Sequence, residues 1–154
     1  MNEVQYHLMM NHFPIIVPVI ALLVLIGGFI FRSDMVKRTA LALYIFGALS
    51  TFPAMFTGDK AEAMAQNLPE VTREVIERHE ETAEQFALIN YGLGILSLAG
   101  LWASWKNHRF ANLLLFSALI LSLASIFYAR KAGTSGGEIR HTEIRVGFEM
   151  KNNK

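Results

Sequence analysis

The sequence predicts an all-α fold: an integral membrane four-helix bundle, N-out and C-out, with a helical outer extension between helices 2 and 3. Three observations predict it. Four long windows, residues 13–31, 39–57, 86–105 and 110–129, contain no charged side chain. The connections after the first and third windows are short and basic, and the acidic residues are excluded from them apart from Asp34. The chain as a whole is 53% hydrophobic, high for a soluble domain of 154 residues.

Each window matches the ~20 residues that a helix rising ~1.5 Å per residue needs to cross ~30 Å of hydrocarbon. Backbone polar groups in lipid must be satisfied within the segment, so spans of this kind are helices. Four buried helices of a soluble protein would leave too little polar surface to cover them. The first span is not expected to be a signal peptide. It has no basic leader, it exceeds a usual apolar leader core, and it ends in Gly27-Gly28-Phe29-Ile30-Phe31-Arg32 without a small-x-small cleavage pattern.

The loops give the orientation. Arg32, Lys37 and Arg38 after span one, and Lys106 and Arg109 after span three, place both short loops in the cytoplasm. Both termini and the long second loop then lie outside. Tyr6, Trp102, Trp105 and Tyr128 fall near span boundaries, where amphipathic rings sit. The segment 59–85 reads as helical and extramembrane. Thr57-Gly58-Asp59 is expected to break span two and cap a short helix at 60–67. Pro69 suits the first position of the next helix, with Glu70 in its first turn. The apolar stripe Val71, Val75, Ala83, Phe86 runs without a breaker into span three, which predicts one long projecting helix. The tail, 130–154, opens with Ala132-Gly133-Thr134-Ser135-Gly136-Gly137, read as a flexible turn, followed by a short strand or coil at 138–146.

Inside the spans, Gly47 and Thr51, Gly94 and Ser97, and Ala118, Ser122 and Ser125 suit close helix packing. Pro53 should kink span two. Asn90, polar at membrane depth, is expected to face protein and find a partner.

Composition excludes several classes. With no cysteine there is no disulfide, thiolate metal site or covalent haem attachment. A formal charge of +1 and no basic block argue against nucleic acid. No strained nucleophile turn supports a hydrolase, and His79-Glu80-Glu81-Thr82-Ala83 lacks the second histidine of a zinc-protease helix. No catalytic residue is assigned, and the absence of an ionisable group near the midplane offers no ion path.

Four of the five histidines, His7, His12, His79 and His141, fall at the outer end; only His108 is cytoplasmic. His79 shares the inward stripe with Ala83, Phe86 and Asn90. His7 and His12 diverge by about 140° on a continuous helix. Pro14 also disfavours helix at Phe13, and His12, nearer the span, is the better ligand. Three chemistries are open. A b-type haem would take two of His12, His79 and His141, with Arg140 or Arg78 near its propionates. A non-haem zinc, iron or manganese ion would use those histidines with some of Asp59, Glu62, Glu80 and Glu143. The run His7-Leu8-Met9-Met10-Asn11-His12 adds copper, which takes thioether and imidazole donors. Without a cofactor, His79, Glu80, Arg140 and Glu143 would form a polar lock between the projecting helix and the tail.

The segments His12-Phe13-Pro14-Ile15, Thr57-Gly58-Asp59-Lys60-Ala61-Glu62, His79-Glu80-Glu81-Thr82-Ala83 and Gly136-Gly137-Glu138-Ile139-Arg140-His141-Thr142-Glu143-Ile144 carry a resemblance. Over nearly the whole chain, the sequence resembles a family of small, uncharacterised four-helix bacterial membrane proteins, a domain of unknown function. Members of the broader family begin His-Pro-x-x-x-His-Phe-Pro and are sometimes joined to c-type cytochrome domains; here Leu8 follows His7 in place of proline. The resemblance implies a bacterial protein, expected as a multi-pass protein of the inner (plasma) membrane; with the orientation taken from the loops, both termini are expected to be periplasmic. Its cytochrome association points to redox work, as a small redox protein or an accessory subunit of a respiratory or envelope complex. The expected partners are the lipid bilayer and other membrane or periplasmic subunits.

Overall fold

The computed structural model describes residues 3–67, 71–141 and 144–145. Within them the protein is all-α: α1 (Glu3–Met10), α2 (His12–Ile30), α3 (Asp34–Ala65), α4 (Arg73–Trp105) and α5 (Ala111–Arg140). Four stretches, Val4–Ile30, Asp34–Ala65, Arg73–Trp105 and Ala111–Ile139, are long and apolar enough to cross a membrane. α4 packs on α5 and α3, α3 on α2, and α2 on α5, which closes the bundle; α1 leans chiefly on α3.

The bundle is apolar outside and partly polar inside. Phe52, Leu88 and Ile95 stand about 70% exposed, while Thr51, Asn90, Ser97, Ser122 and Ser125 are buried. A soluble protein cannot hold so continuous an apolar surface in water, whereas hydrocarbon takes it without cost. Small residues let the backbones approach: a Cβ placed on Gly94 would stand 2.4 Å from Ala48 Cβ. Where α3, α4 and α5 meet, Asn90 finds the partners expected of it. Its Nδ2 donates to Thr51 Oγ1 at 2.7 Å, and its Oδ1 accepts from Ser125 Oγ at 3.3 Å.

Both short turns close at the basic end in the same way. Arg32 and Asn107 take left-handed φ values of 52° and 49°. Ser33 N–H reaches back to Gly28 O and His108 N–H to Ala103 O, the six-to-one bond that satisfies carbonyls at a helix C-terminus. Ser33 then caps α3 by accepting from the Val36 N–H. Arg38 finishes the end of α4: its Nε donates to Ser104 Oγ at 2.9 Å and its Nη2 to Ser104 O at 2.6 Å.

Four sequence expectations are corrected. α3 is not broken at Thr57-Gly58-Asp59 but runs to Ala65. Thr57 does not cap a new helix; its hydroxyl donates back to Pro53 O and Ala54 O, which keeps the old one. The Ala132–Gly137 stretch is helix rather than a turn, because Ala132 packs on Phe86 and Ser135 donates to Ala132 O. α4 begins at Arg73 after Thr72, not at residue 69; Pro69 and Glu70 lie outside the described residues. The strand or coil expected at 138–146 starts inside α5, which runs on to Arg140, and residues 142, 143 and 146 of it lie outside the described residues.

Candidate functional site

The end of the bundle opposite the basic turns gathers the start of α1 and α2, the end of α3, the start of α4 and the end of α5. Four histidines lie here, but not as one cluster. His12 opens α2, is exposed, and turns its Nδ1 onto Leu8 O of its own chain segment at 2.5 Å. His141 caps α5 and is exposed. His79 is half-buried between α4 and α5, as its stripe predicted. The histidine that joins it is His7, which the sequence reading set below His12.

The break at Asn11 explains the exchange. α1 stops at Met10 and α2 starts at His12, so the two histidines do not share one helical register. α1 folds onto α3, and His7 Nδ1 contacts Ala54 O at 3.1 Å and Thr57 Oγ1 at 3.4 Å. A carbonyl only accepts, so the Nδ1 that meets Ala54 O carries the proton. The ring lies over Gly58: a Cβ there would stand 3.3 Å from His7 Cε1.

His79 is held in the same style. Its Nδ1 meets Ser135 Oγ at 3.1 Å. With its one proton given to Ala132 O at 3.1 Å, the Ser135 hydroxyl is free to accept from the imidazole Nδ1–H. Thr82 adds a 2.8 Å contact to the same Ser135 oxygen. The ring fills a notch at Gly136, where a Cβ would approach Cε1 to 2.9 Å. In both histidines, then, Nδ1–H is spent on the scaffold and Nε2 keeps its lone pair, the arrangement that fixes tautomer and orientation in metal-bound imidazoles.

Both rings lie outside the apolar windows, on helical extensions. Burial pushes the pKa of each below the ordinary histidine value, against a smaller upward pull from the backbone of Ala54 for His7. For His79 the charge of His7 adds to the lowering, and Ala132 opposes it. The two imidazoles are therefore close enough to sense each other, and both are neutral near pH 7.

Beside them lies a carboxylate field. Glu80 is held above the usual carboxylate range, first by Glu62 and then by burial, Glu84, Asp59 and Glu77. A hollow of about 370 Å³ is lined by Glu62, Gln66, Val71, Arg73, Ile76, Glu77 and Glu80. Glu80 and Asp59 themselves are exposed. Among the described residues no three of His, Cys, Asp and Glu come together as a metal-holding group. Arg140 ends α5, and Glu143 lies outside the described residues. The ion pair that ties α4 to α5 is Arg78 with the buried carboxylate of Glu138, and Arg145 Nε donates to Glu138 O at 2.7 Å.

Sequence reasoning missed Gly58, Thr82, Ser135 and Gly136. The signal available was the pairing of each glycine with a small hydroxyl residue near it, in a stretch that had been read as a helix breaker.

Comparison with known proteins agrees with this architecture. A family model described as "Predicted membrane protein (DUF2231)" matches residues 4–148. No curated protein and no solved structure matches. The match spans α1 to the tail, so the resemblance noted from the histidine and Gly-Gly-Glu segments holds: the chain is a multi-pass membrane protein and belongs to the DUF2231 family of predicted membrane proteins, a family of unknown function.

Proposed function

We propose that the protein is a small redox protein, or accessory redox subunit, of the bacterial inner membrane, with both termini periplasmic and a b-type haem held at the outer mouth by His7 and His79. One observation carries this reading: two neutral, half-buried imidazoles from α1 and α4, each anchored through Nδ1, share one mouth. Two protein donors suffice for a haem iron, because the porphyrin supplies the other four; zinc and non-haem iron ordinarily draw three or four from the protein. α1 makes at most marginal contact with α4, so the two imidazoles come from elements that do not pack directly on each other. When bound, the haem supplies one-electron chemistry. The chain would fix the orientation of the two rings through Ala54 O and Ser135 Oγ, and Arg78, next to His79 on α4, would supply a cation for the propionates. The periplasmic placement rests on the basic residues of the two short turns.

The test is spectroscopic. Full-length protein purified in mild detergent is expected to show a reduced-minus-oxidised α-band and about one pyridine haemochrome per chain. His7→Ala and His79→Ala should each abolish the low-spin spectrum, while His12→Ala and His141→Ala keep it. Colourless wild type ends the haem reading. If colourless protein instead carries stoichiometric copper, iron or zinc lost on His79→Ala, the site is a non-haem centre. The cross-helix lock of Arg78, Glu138 and Arg145 favours a third reading, a purely structural subunit; it requires metal-free, colourless protein that copurifies with a membrane or periplasmic partner.

A further inference from the structure

At the opposite end of the bundle, a second groove runs between α3 and α4, about 350 Å³ in volume and lined by Met35, Arg38, Thr39, Ala42, Leu101 and Trp105. We propose that it binds one anionic phospholipid, with the phosphate on Arg38 and an acyl chain along Ala42 and Leu101.

The chemistry of Arg38 points to the headgroup. A guanidinium presents two bidentate edges. In Arg38 the Nε–Nη2 edge is taken by Ser104, through Oγ and the backbone O. Both acceptors are neutral, so the charge remains. Among the described residues, the Nη1 side of the fork has no hydrogen-bond acceptor or ion-pair partner; the neighbouring carboxylate, Asp34, is bonded to Lys37 at 2.7 Å. A half-buried guanidinium with one fork fixed and the other open is a pre-oriented phosphate site.

Position points to a lipid rather than a soluble phosphate. Arg38 stands one residue before the apolar window of α3, and Trp105 closes that of α4, so the groove straddles the polar–apolar boundary where headgroups lie. Below Arg38 its walls are the exposed faces of Thr39 and Ala42 and the partly exposed Leu101, with Trp105 at the rim. Arg32, Lys106 and Arg109 sit in the two adjoining turns and add positive potential. An acyl chain covers the apolar wall and the phosphate answers the open fork. A zwitterionic lipid would bring its own cation to the same place. Bacterial bilayers place anionic lipid in both leaflets, so the inference stands whichever way the bundle is oriented.

The experiment is native mass spectrometry of the full chain, released from micelles doped with equal amounts of phosphatidylglycerol and phosphatidylcholine. Wild type should retain phosphatidylglycerol over phosphatidylcholine by at least about tenfold, a difference that one charge-assisted bidentate contact supports. Arg38→Gln should erase the preference. Because Arg38 also finishes α4, Ala42→Trp provides the independent arm: it fills the groove from an exposed position, leaves the Arg38–Ser104 bonds in place, and should lower retention of phosphatidylglycerol to that of phosphatidylcholine. Equal retention of the two lipids by wild type overturns the proposal. So does an Ala42→Trp protein that keeps the preference, or displacement of the lipid by millimolar inorganic phosphate alone.

Discussion

Gly94→Ala tests the register on which every other position in the bundle depends. In the structure a methyl at Gly94 would lie 2.4 Å from Ala48 Cβ, with Ala48 Cα at 4.0 Å. Two methyl carbons rest at about 3.5–4.0 Å, so α3 and α4 must part locally by more than an ångström. One turn away, Asn90 Nδ2 spans 2.7 Å to Thr51 Oγ1 and 3.4 Å to Gly47 O; a shift of that size takes both out of bonding range. Overpacking costs about 1–3 kcal/mol, and an interhelical hydrogen bond in a membrane protein about 0.6–1.7 kcal/mol. Replacing glycine in a helix returns about 1 kcal/mol. The expected net loss is roughly 1–3 kcal/mol. Ala48→Gly removes the opposing methyl, and in the double variant the new methyl meets only the Ala48 Cα position at ordinary contact distance. The double variant should therefore return to within about 1 kcal/mol of wild type, with a coupling energy above about 1 kcal/mol. Unfolding by denaturing detergent in mixed micelles, followed by circular dichroism, measures all four corners of the cycle. Strict additivity, or a Gly94→Ala protein as stable as wild type, refutes the α3–α4 pairing and with it the place of Asn90.

Three further outcomes rest on the same close packing. Gly133 and Gly136 sit one turn apart on α5, but a Cβ at Gly133 meets nothing within 4 Å, while one at Gly136 meets the His79 ring. Gly133→Ala should raise the unfolding midpoint by the usual helix gain, about 0.5–1 kcal/mol, whereas Gly136→Ala should forfeit that gain and displace the imidazole; equal stabilisation by both would remove the notch. His7 and His79 are neutral in the fold, with pKa values below the reference of 6.5. As pH falls below about 6.5 the unfolded cofactor-free chain takes up protons first, so stability is full above that value, declines toward the folded pKa values and levels beneath them; His79→Gln should flatten the decline, and a wild-type profile already flat between about pH 8 and 5 would contradict the burial of both rings. Asn90→Leu removes the centre of the buried polar layer and leaves Ser125 without its acceptor, at an expected cost of about 1–3 kcal/mol; an unfolding midpoint at or above the wild-type value would show that the layer holds nothing.

The four spans were legible because they depend on composition over long windows, and lipid leaves the backbone no alternative to helix. Asn90 was legible for the same reason, since a lone amide among apolar residues must find protein. What could not be read was local punctuation. Thr57-Gly58-Asp59 and Ala132-Gly133-Thr134-Ser135-Gly136-Gly137 carry the residues that end helices in water. Here each is a docking face: glycine admits an imidazole, and the hydroxyls of Thr57 and Ser135 bond to their own helix or to the ring. Such use depends on a residue fifty or more positions away along the chain, which no local pattern contains. His7 was set aside for a related reason. Its direction follows from that of His12 only on one continuous helix, and the break at Asn11 re-aims it onto α3.

The separation of the two ends constrains how a redox group at the mouth works. His79 and Ser104 are twenty-five positions apart along α4, about 37 Å at ~1.5 Å per residue. The first layer beneath His79 is apolar, with Phe86 packed on Ala129 and Ala132. Below it comes the neutral Asn90–Thr51–Ser125 layer, then the core of Leu93, Leu41, Tyr44 and Leu115. The spans hold no cysteine and no histidine as ligands for a second metal or haem centre. Nor do they hold a carboxylate or imidazole that would pass a proton. A haem at His7 and His79 would therefore exchange electrons with donor and acceptor on the same side of the membrane, or with a carrier that reaches the mouth from within the lipid. The apolar layers under such a site would act as insulation, and on the proposed reading a redox partner would dock on the histidine end.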